Sequence, residues 1–267
     1  MILASASPIV IVLSVISALA YALPAVLDQR LSHNASRNSV AAAWLMHGAV
    51  VCIGLLGEPP FFGFAPALSV TAWWVAAAYA LETQIFPQLQ TRWPLCGLGA
   101  AAVLLAAVFP GAPIPTATSA WLPLHFAFGV ASYGLFGTAV VHAWFMTRAE
   151  GRIRLAEDPH TGLPLLTLER LTFRFVTAGF VLLSATLLIG FSFGDTMYGR
   201  PHVWHRDHKT IFSMLAWVTF AALLIGRRAF GWRGKRAVKV LYTGTAFLLL
   251  AYVGSRFVWE VVLGRMP

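Results

Sequence analysis

The sequence predicts an all-α fold: a polytopic membrane bundle of about eight transmembrane helices, with both termini external. Three observations carry this. The 267-residue chain is 58% hydrophobic and only 11% charged, against about 25% charged in an ordinary soluble domain. It therefore lacks the polar side chains needed to coat a water-facing surface. Its apolar residues fall into eight runs near the ~20 residues a helix needs to cross a bilayer. The cations between those runs alternate between rich and poor loops, as membrane topology imposes. Chain length does not count domains here, because lipid can cover apolar surface, so 1–267 reads as a single integral membrane domain.

The runs follow one another at about 2–27, 39–57, 67–84, 93–109, 121–147, 173–193, 210–226 and 237–263. No cation precedes the first, while Arg30 and Arg37 follow it, so it reads as an uncleaved span with its N-terminus outside. Glu82 and Gln84 sit near the end of the third. Pro24, Pro87, Pro94, Pro110 and Pro123 fall at or near helix ends, where proline is tolerated. Segments 58–66 and 110–120 carry no Lys or Arg. Segments 28–38, 85–92, 148–172 and 227–236 carry cations and are assigned to the cytoplasm. The 148–172 segment, with Arg148, Arg152, Arg154 and Arg170, is the one sizeable cytoplasmic loop and a possible partner surface. Segment 194–209 breaks the alternation: it is external by count, yet holds Arg200, Arg206 and Lys209.

The net charge of +9 is thus mostly a topology signal and not a nucleic-acid signature, because no polar face gathers the cations. Cys52 and Cys96 lie in apolar runs without CxxC or CxxCH spacing, which excludes a thioredoxin-like motif and covalent haem attachment. There is no P-loop, no GxSxG and no nucleophile–base–carboxylate set, so no bond-breaking chemistry by the protein is expected.

Ionisable groups at membrane depth are functional candidates. His33 and His160 fall in cytoplasmic loops and read as surface residues. His125 lies four residues into the fifth span on the external side, level with His202, His205 and His208 of the sixth loop. His47 and His142 lie nearer the cytoplasm. His125 and His142 are ~25 Å apart along one helix, too far to share a metal. The depth argument therefore pairs His125 with His208 outside, and His47 with His142 inside. Two imidazoles from different helices suit the axial positions of haem iron. Arg200, Arg206 and Lys209 would then hold the propionates, which explains a basic external loop. Trp121 and Trp204 can pack on the porphyrin or anchor the interface.

Blander uses stay open. Membrane histidines are often bonded to a neighbouring helix. The HxxHxxH spacing of His202, His205 and His208 would also suit zinc or copper. Arg256 and Glu260, four apart, read as a helical ion pair.

Several segments carry a resemblance. LHFAFGVASYGLF (124–136), LERLTFRFVTAGFVLL (168–183), VWHRDHKTIFSMLAWVTFAALLIGR (203–227) and GWRGKRAV (231–238) together resemble the cytochrome c assembly superfamily of membrane haem-handling proteins. Within it the chain is most similar to the short, eight-span HemX-like branch. The match is strongest over about 120–263. The resemblance implies non-covalent haem b on the external face of a bacterial inner membrane. It makes His125 the first external axial ligand and aligns Trp204, Asp207 and Lys209 with the family's Trp-rich loop. Asp207 would orient a ligand or pair with a cation.

The chain departs from the pattern at Arg206 and His208, which stand where the loop has a Trp and a Pro. It has no histidine in 237–267, and Gly226 stands near where larger members place a membrane histidine. His208 as second ligand follows from depth and not from the family. The expected function is haem holding and presentation during cytochrome c biogenesis, with other assembly or haem-biosynthesis proteins as partners. A regulator or scaffold of haem biosynthesis, contacting partners through 148–172 and 227–236, is the alternative. A transporter ranks last, because internal repeats and broken helices are scarce.

Overall fold

The computed structural model describes residues 7–27, 32–85, 93–113, 119, 121–154, 164–198 and 208–264. Eight main helices run in order among them: α1 (Pro8–Val26), α2 (His33–Leu56), α3 (Phe64–Ile85), α4 (Trp93–Val108), α5 (Trp121–Arg154), α6 (Leu165–Tyr198), α7 (His208–Phe230) and α8 (Gly234–Leu249). Among the described residues, six helical stretches are long and apolar enough to cross a membrane, while Pro8–Pro24 and Leu95–Val108 are shorter apolar helices. The fold is therefore an all-α polytopic membrane bundle.

Local signals start and stop these helices. Ser7 caps α1 through Val10 N–H at 3.4 Å, and Pro8 occupies a first-turn position that needs no donor. Ser32 caps α2 through Ala35 N–H at 3.2 Å. Two short strands, β1 (Phe61–Phe62) and β2 (Ala112–Pro113), pair antiparallel with Phe61 opposite Pro113. Gly111 makes that pairing possible. Its φ is +85°, and a Cβ there would sit 2.5 Å from the Phe62 backbone.

The helices differ from the expected spans chiefly at α5 and α6. Each has 34 residues, about 50 Å at 1.5 Å per residue, well beyond a ~30 Å hydrocarbon core. The expected 148–172 loop is thus largely helical, running to Arg154 in α5 and resuming at Leu165. Arginine is a good helix former once its head reaches water, so charge ends the membrane span without ending the helix.

Contacts sort the chain into two compact units. Unit 1 comprises 1–84, 90–116 and 256–267; unit 2 comprises 85–89 and 117–255. In unit 1, α1 packs on α2 and α4. Trp44 and Trp73 stack at 4.8 Å, and each indole N–H donates to the other's backbone carbonyl, at 3.1 and 3.0 Å. Ser17 donates to the Ala43 carbonyl at 2.9 Å. Apolar side chains such as Ile9, Leu19, Leu45 and Leu56 point outward while Ser17 and His47 are buried and hydrogen-bonded. That polarity is inverted relative to a water-soluble globule and suits a lipid solvent, where polar groups must be satisfied inside.

In unit 2, α5 to α8 pack through one aromatic core. Phe136 of α5 stacks on Phe220 of α7 at 3.8 Å. Gly179 of α6 closes on Phe136, and Gly244 of α8 closes on Phe220. Partners descend as numbers rise (His125 with Thr186 and Ser132 with Gly179; Trp217 with Ser184 and Arg227 with Glu169), so α5–α6 and α6–α7 are antiparallel. After Leu249 the last helix slips into a π-turn over Leu250–Gly254, passes through Ser255–Phe257, and slips again over Val258–Val262. The Tyr133 hydroxyl donates to the Leu248 carbonyl beside the first slip. Near the second, the Phe64 backbone and the Arg256 charge both act on Glu260, the carboxylate expected to pair with that arginine.

Candidate functional site

The α5 residues Leu122, His125, Gly129, Ser132 and Phe136 are spaced three and four apart, which lines them on one face. That face meets α6, and it carries His125 onto the helix backbone. His125 Nδ1 lies 3.0 Å from the Thr186 carbonyl oxygen. A carbonyl only accepts, so Nδ1 carries the hydrogen, and the neutral ring keeps its lone pair on Nε2. Gly190, one turn along α6, makes room: a Cβ there would lie 3.1 Å from His125 Cε1. The hydrogen bond orients the ring, and the residue as a whole is only partly buried.

Aromatic side chains gather at this end of α5 and α6, with Phe126 edge-on to the imidazole at 6.2 Å. Trp121 stacks on Phe193 at 4.0 Å with planes 5° apart. Leu122 and Ile189 are buried beneath, with Phe126 and Phe128 against them. From α7, the Lys209 ammonium acts electrostatically on His125 and lies 5.6 Å from the centre of the Tyr252 ring. The start of α5, the end of α6, the start of α7 and the π-turn after α8 thus share one end of unit 2.

Of the sequence-predicted residues, His125, Lys209 and Trp121 belong to this end. His208 is the exposed first residue of α7, immediately before Lys209. Arg200, Trp204, Arg206 and Asp207 lie outside the described residues, as do His160, His202 and His205. Among the described residues, no group of three or more His, Cys, Asp or Glu is arranged to hold a metal ion.

His47 and His142 are both buried, but each is engaged in its own unit. His47 Nε2 is 2.8 Å from Ser69 Oγ, and Nδ1 is 3.4 Å from the Tyr21 hydroxyl, so both ring nitrogens have protein partners. His142 Nδ1 donates to the Thr138 carbonyl of its own helix at 2.8 Å and packs against Phe175. Iron at His47 would have to displace a hydroxyl.

Gly226 has a steric explanation. It is buried on α7, where a Cβ would fall 2.4 Å from Trp232 Cδ2 and Cε3. Trp232 N–H donates to the Gly226 carbonyl at 3.1 Å, which folds the indole over it. The space a side chain at 226 would need is therefore filled by the Trp232 indole.

One polar cluster has no counterpart in the sequence expectations. Glu169 of α6, 8% exposed, bonds Arg227 of α7 and lies 3.6 Å from Arg233 Nε. The pairs are 58 and more residues apart, and only the cationic loop composition hinted at them.

Comparison with known proteins agrees with this architecture. The profile of the cytochrome C assembly protein family matches residues 32–263. The inner membrane protein YpjD of Escherichia coli K12 is 34% identical over 99 residues, covering 37% of this chain and 36% of that protein. An uncharacterized 28.8 kDa protein of Azospirillum brasilense is 28% identical, covering 76% and 77%. The cytochrome c biogenesis protein CcsA of Prochlorococcus marinus MIT 9303 is 26% identical, covering 53% and 52%. The chain thus spans about a third of the YpjD relative and half of the CcsA relative. No solved structure matches.

Proposed function

The chain belongs to the cytochrome c assembly protein family, and from that premise we propose that it handles haem, holding non-covalent haem b at the external end of unit 2. The observation that carries the proposal is the His125 ring: Nδ1 is tied to a backbone carbonyl while the residue is only partly buried. That arrangement is how proteins usually orient an imidazole whose other nitrogen binds a metal. Haem supplies an iron with two axial positions. His125 would take one through Nε2, and His208 is our assignment for the other. The Trp121–Phe193 stack offers an apolar wall, and Lys209 a cation for a propionate. Arg200 and Arg206 would add charge, Asp207 would orient a ligand, and Trp204 would pack on the ring. The side chains hold and orient the cargo; none breaks a bond. The positions of the cation-rich loops support an orientation with this end outside a bacterial inner membrane and both termini external. Cytochrome c assembly or haem-biosynthesis proteins would be the partners. His47 is assigned to a structural hydrogen-bond node and not to a second haem.

The test is a haem titration of the protein in lipid nanodiscs, followed by absorbance. A saturable Soret band that weakens in both His125→Ala and His208→Ala is expected. No Soret band in the wild-type chain would end the proposal, and an unchanged band in both variants would end the ligand assignment.

A second reading, control of haem biosynthesis through a soluble partner, draws on the 34-residue lengths of α5 and α6, which carry both helices past the bilayer. Crosslinkers placed at Arg148 and Arg228 would capture such a partner; a defined stoichiometric product is expected, and none would argue against it.

A further inference from the structure

We propose that the cation-rich end of unit 2 holds a binding site for the phosphate group of an anionic phospholipid. A cavity of about 750 Å³ opens there between α6, the end of α7 and the α7–α8 turn. Four arginines line it: Arg170 and Arg174 from α6, Arg227 from α7, and Arg233 from the turn. One carboxylate faces them among the described residues, that of Glu169. The lining therefore carries an excess of positive charge around an open volume.

Two features distinguish this from ordinary cationic loop residues. The first is preorganisation. Glu169 is nearly buried and bonds Arg227 while lying 3.6 Å from Arg233 Nε. Arg227 also lies 4.4 Å above the Phe173 ring and donates to the Trp232 carbonyl at 3.3 Å. The Arg227 guanidinium is thus held by three contacts before any ligand arrives, with Arg233 drawn toward the same carboxylate, which lowers the ordering cost of binding. Arg170 and Arg174, one turn apart on α6, are exposed at the rim and can close on an anion. Planar guanidinium forks match phosphate oxygens better than ammonium groups do.

The second is location. The exposed side chains of Thr177 and Ala178 continue the lining one turn further along α6, toward the apolar part of that span. Leu166 adds exposed apolar surface at the opening. A phosphate drawn from the membrane would keep its acyl chains beside the exposed apolar face of α6, where Val181 and Leu188 also point outward. A soluble phosphate makes no use of that surface. Basic pockets between helices at the headgroup level are the setting in which anionic lipid is recognised. The orientation proposed above only names the leaflet as cytoplasmic; the site itself does not depend on haem.

The test uses the full chain, without haem, in nanodiscs of phosphatidylcholine alone or with phosphatidylglycerol or cardiolipin. Thermal stability and lipid retention by native mass spectrometry are read together. Anionic lipid should be retained and should raise the melting temperature of the wild-type chain. Arg170→Gln/Arg174→Gln should weaken retention by roughly thirtyfold, the factor for losing two interfacial cations. Arg228→Gln/Lys235→Gln removes two exposed cations outside the cavity and should leave retention intact. Equal losses in both double variants would overturn the proposal in favour of general surface charge. Stabilisation by millimolar inorganic phosphate in pure phosphatidylcholine, with none from anionic lipid, would overturn the lipid as occupant.

Discussion

Gly226 offers a sharp test of the packing. Replacing it with alanine places a Cβ 2.4 Å from Trp232 Cδ2 and Cε3 and 2.8 Å from Cε2. Carbon atoms prefer separations of about 3.5–4.0 Å, so the indole must retreat by about 1 Å. It cannot retreat alone. Its backbone N–H is bonded to the Gly226 carbonyl, its carbonyl accepts from Arg227, and Arg236 sits 4.2 Å above its ring. Overpacking of this kind costs about 1–3 kcal/mol, and loss of the Arg236 contact about 0.5–1 kcal/mol more. Thermal unfolding in detergent, followed by tryptophan fluorescence, should show a fall of about 3–10 °C for Gly226→Ala. Gly226→His, which adds a whole ring to the same space, should fall further. In a Trp232→Gly background the same alanine should cost almost nothing, because the obstructing ring is gone. An unchanged melting temperature for Gly226→Ala, or an equal cost in both backgrounds, would refute the steric explanation.

Other substitutions probe the remaining contacts. His47→Ala leaves the Tyr21 and Ser69 hydroxyls unsatisfied in a buried site, so unfolding should show a loss of about 1–3 kcal/mol, while haem titration should be unchanged. Glu169→Gln removes the charge that holds Arg227 and Arg233; chemical denaturation should show a loss of about 1–3 kcal/mol, and Arg227→Gln added to it should cost little more. Gly190→Ala pushes on His125 Cε1 from 3.1 Å; it should weaken haem binding about 10–100-fold, the range for a group that orients a ligand, with melting little altered.

The membrane bundle was legible because composition and run length are one-dimensional signals. Arg148, Arg152 and Arg154 mark where lipid ends, yet they say nothing of where α5 ends, since arginine extends a helix in water as readily as it leaves one. The candidate site was legible in part. His125 announces itself as an imidazole at membrane depth, and Lys209 as a cation where topology expects few. Their setting was not, because Thr186 lies 61 residues from His125 and offers a backbone carbonyl that no side-chain pattern encodes. The partners of His47 were hidden for a related reason: depth along a helix gives height but not direction. Ser69 and Tyr21, which take both His47 nitrogens, are ordinary residues of apolar runs. The Glu169 cluster was hidden because positive-inside counting treats each cation as interchangeable.

The central claim is that His125 ligates haem iron. It is tested most directly by electron paramagnetic resonance of the ferric haem complex in nanodiscs, comparing the wild-type chain with His125→Gly, with and without added imidazole. A low-spin bis-imidazole signal in the wild-type chain, lost in His125→Gly and restored by imidazole, is predicted. The same low-spin signal in His125→Gly without imidazole would contradict it.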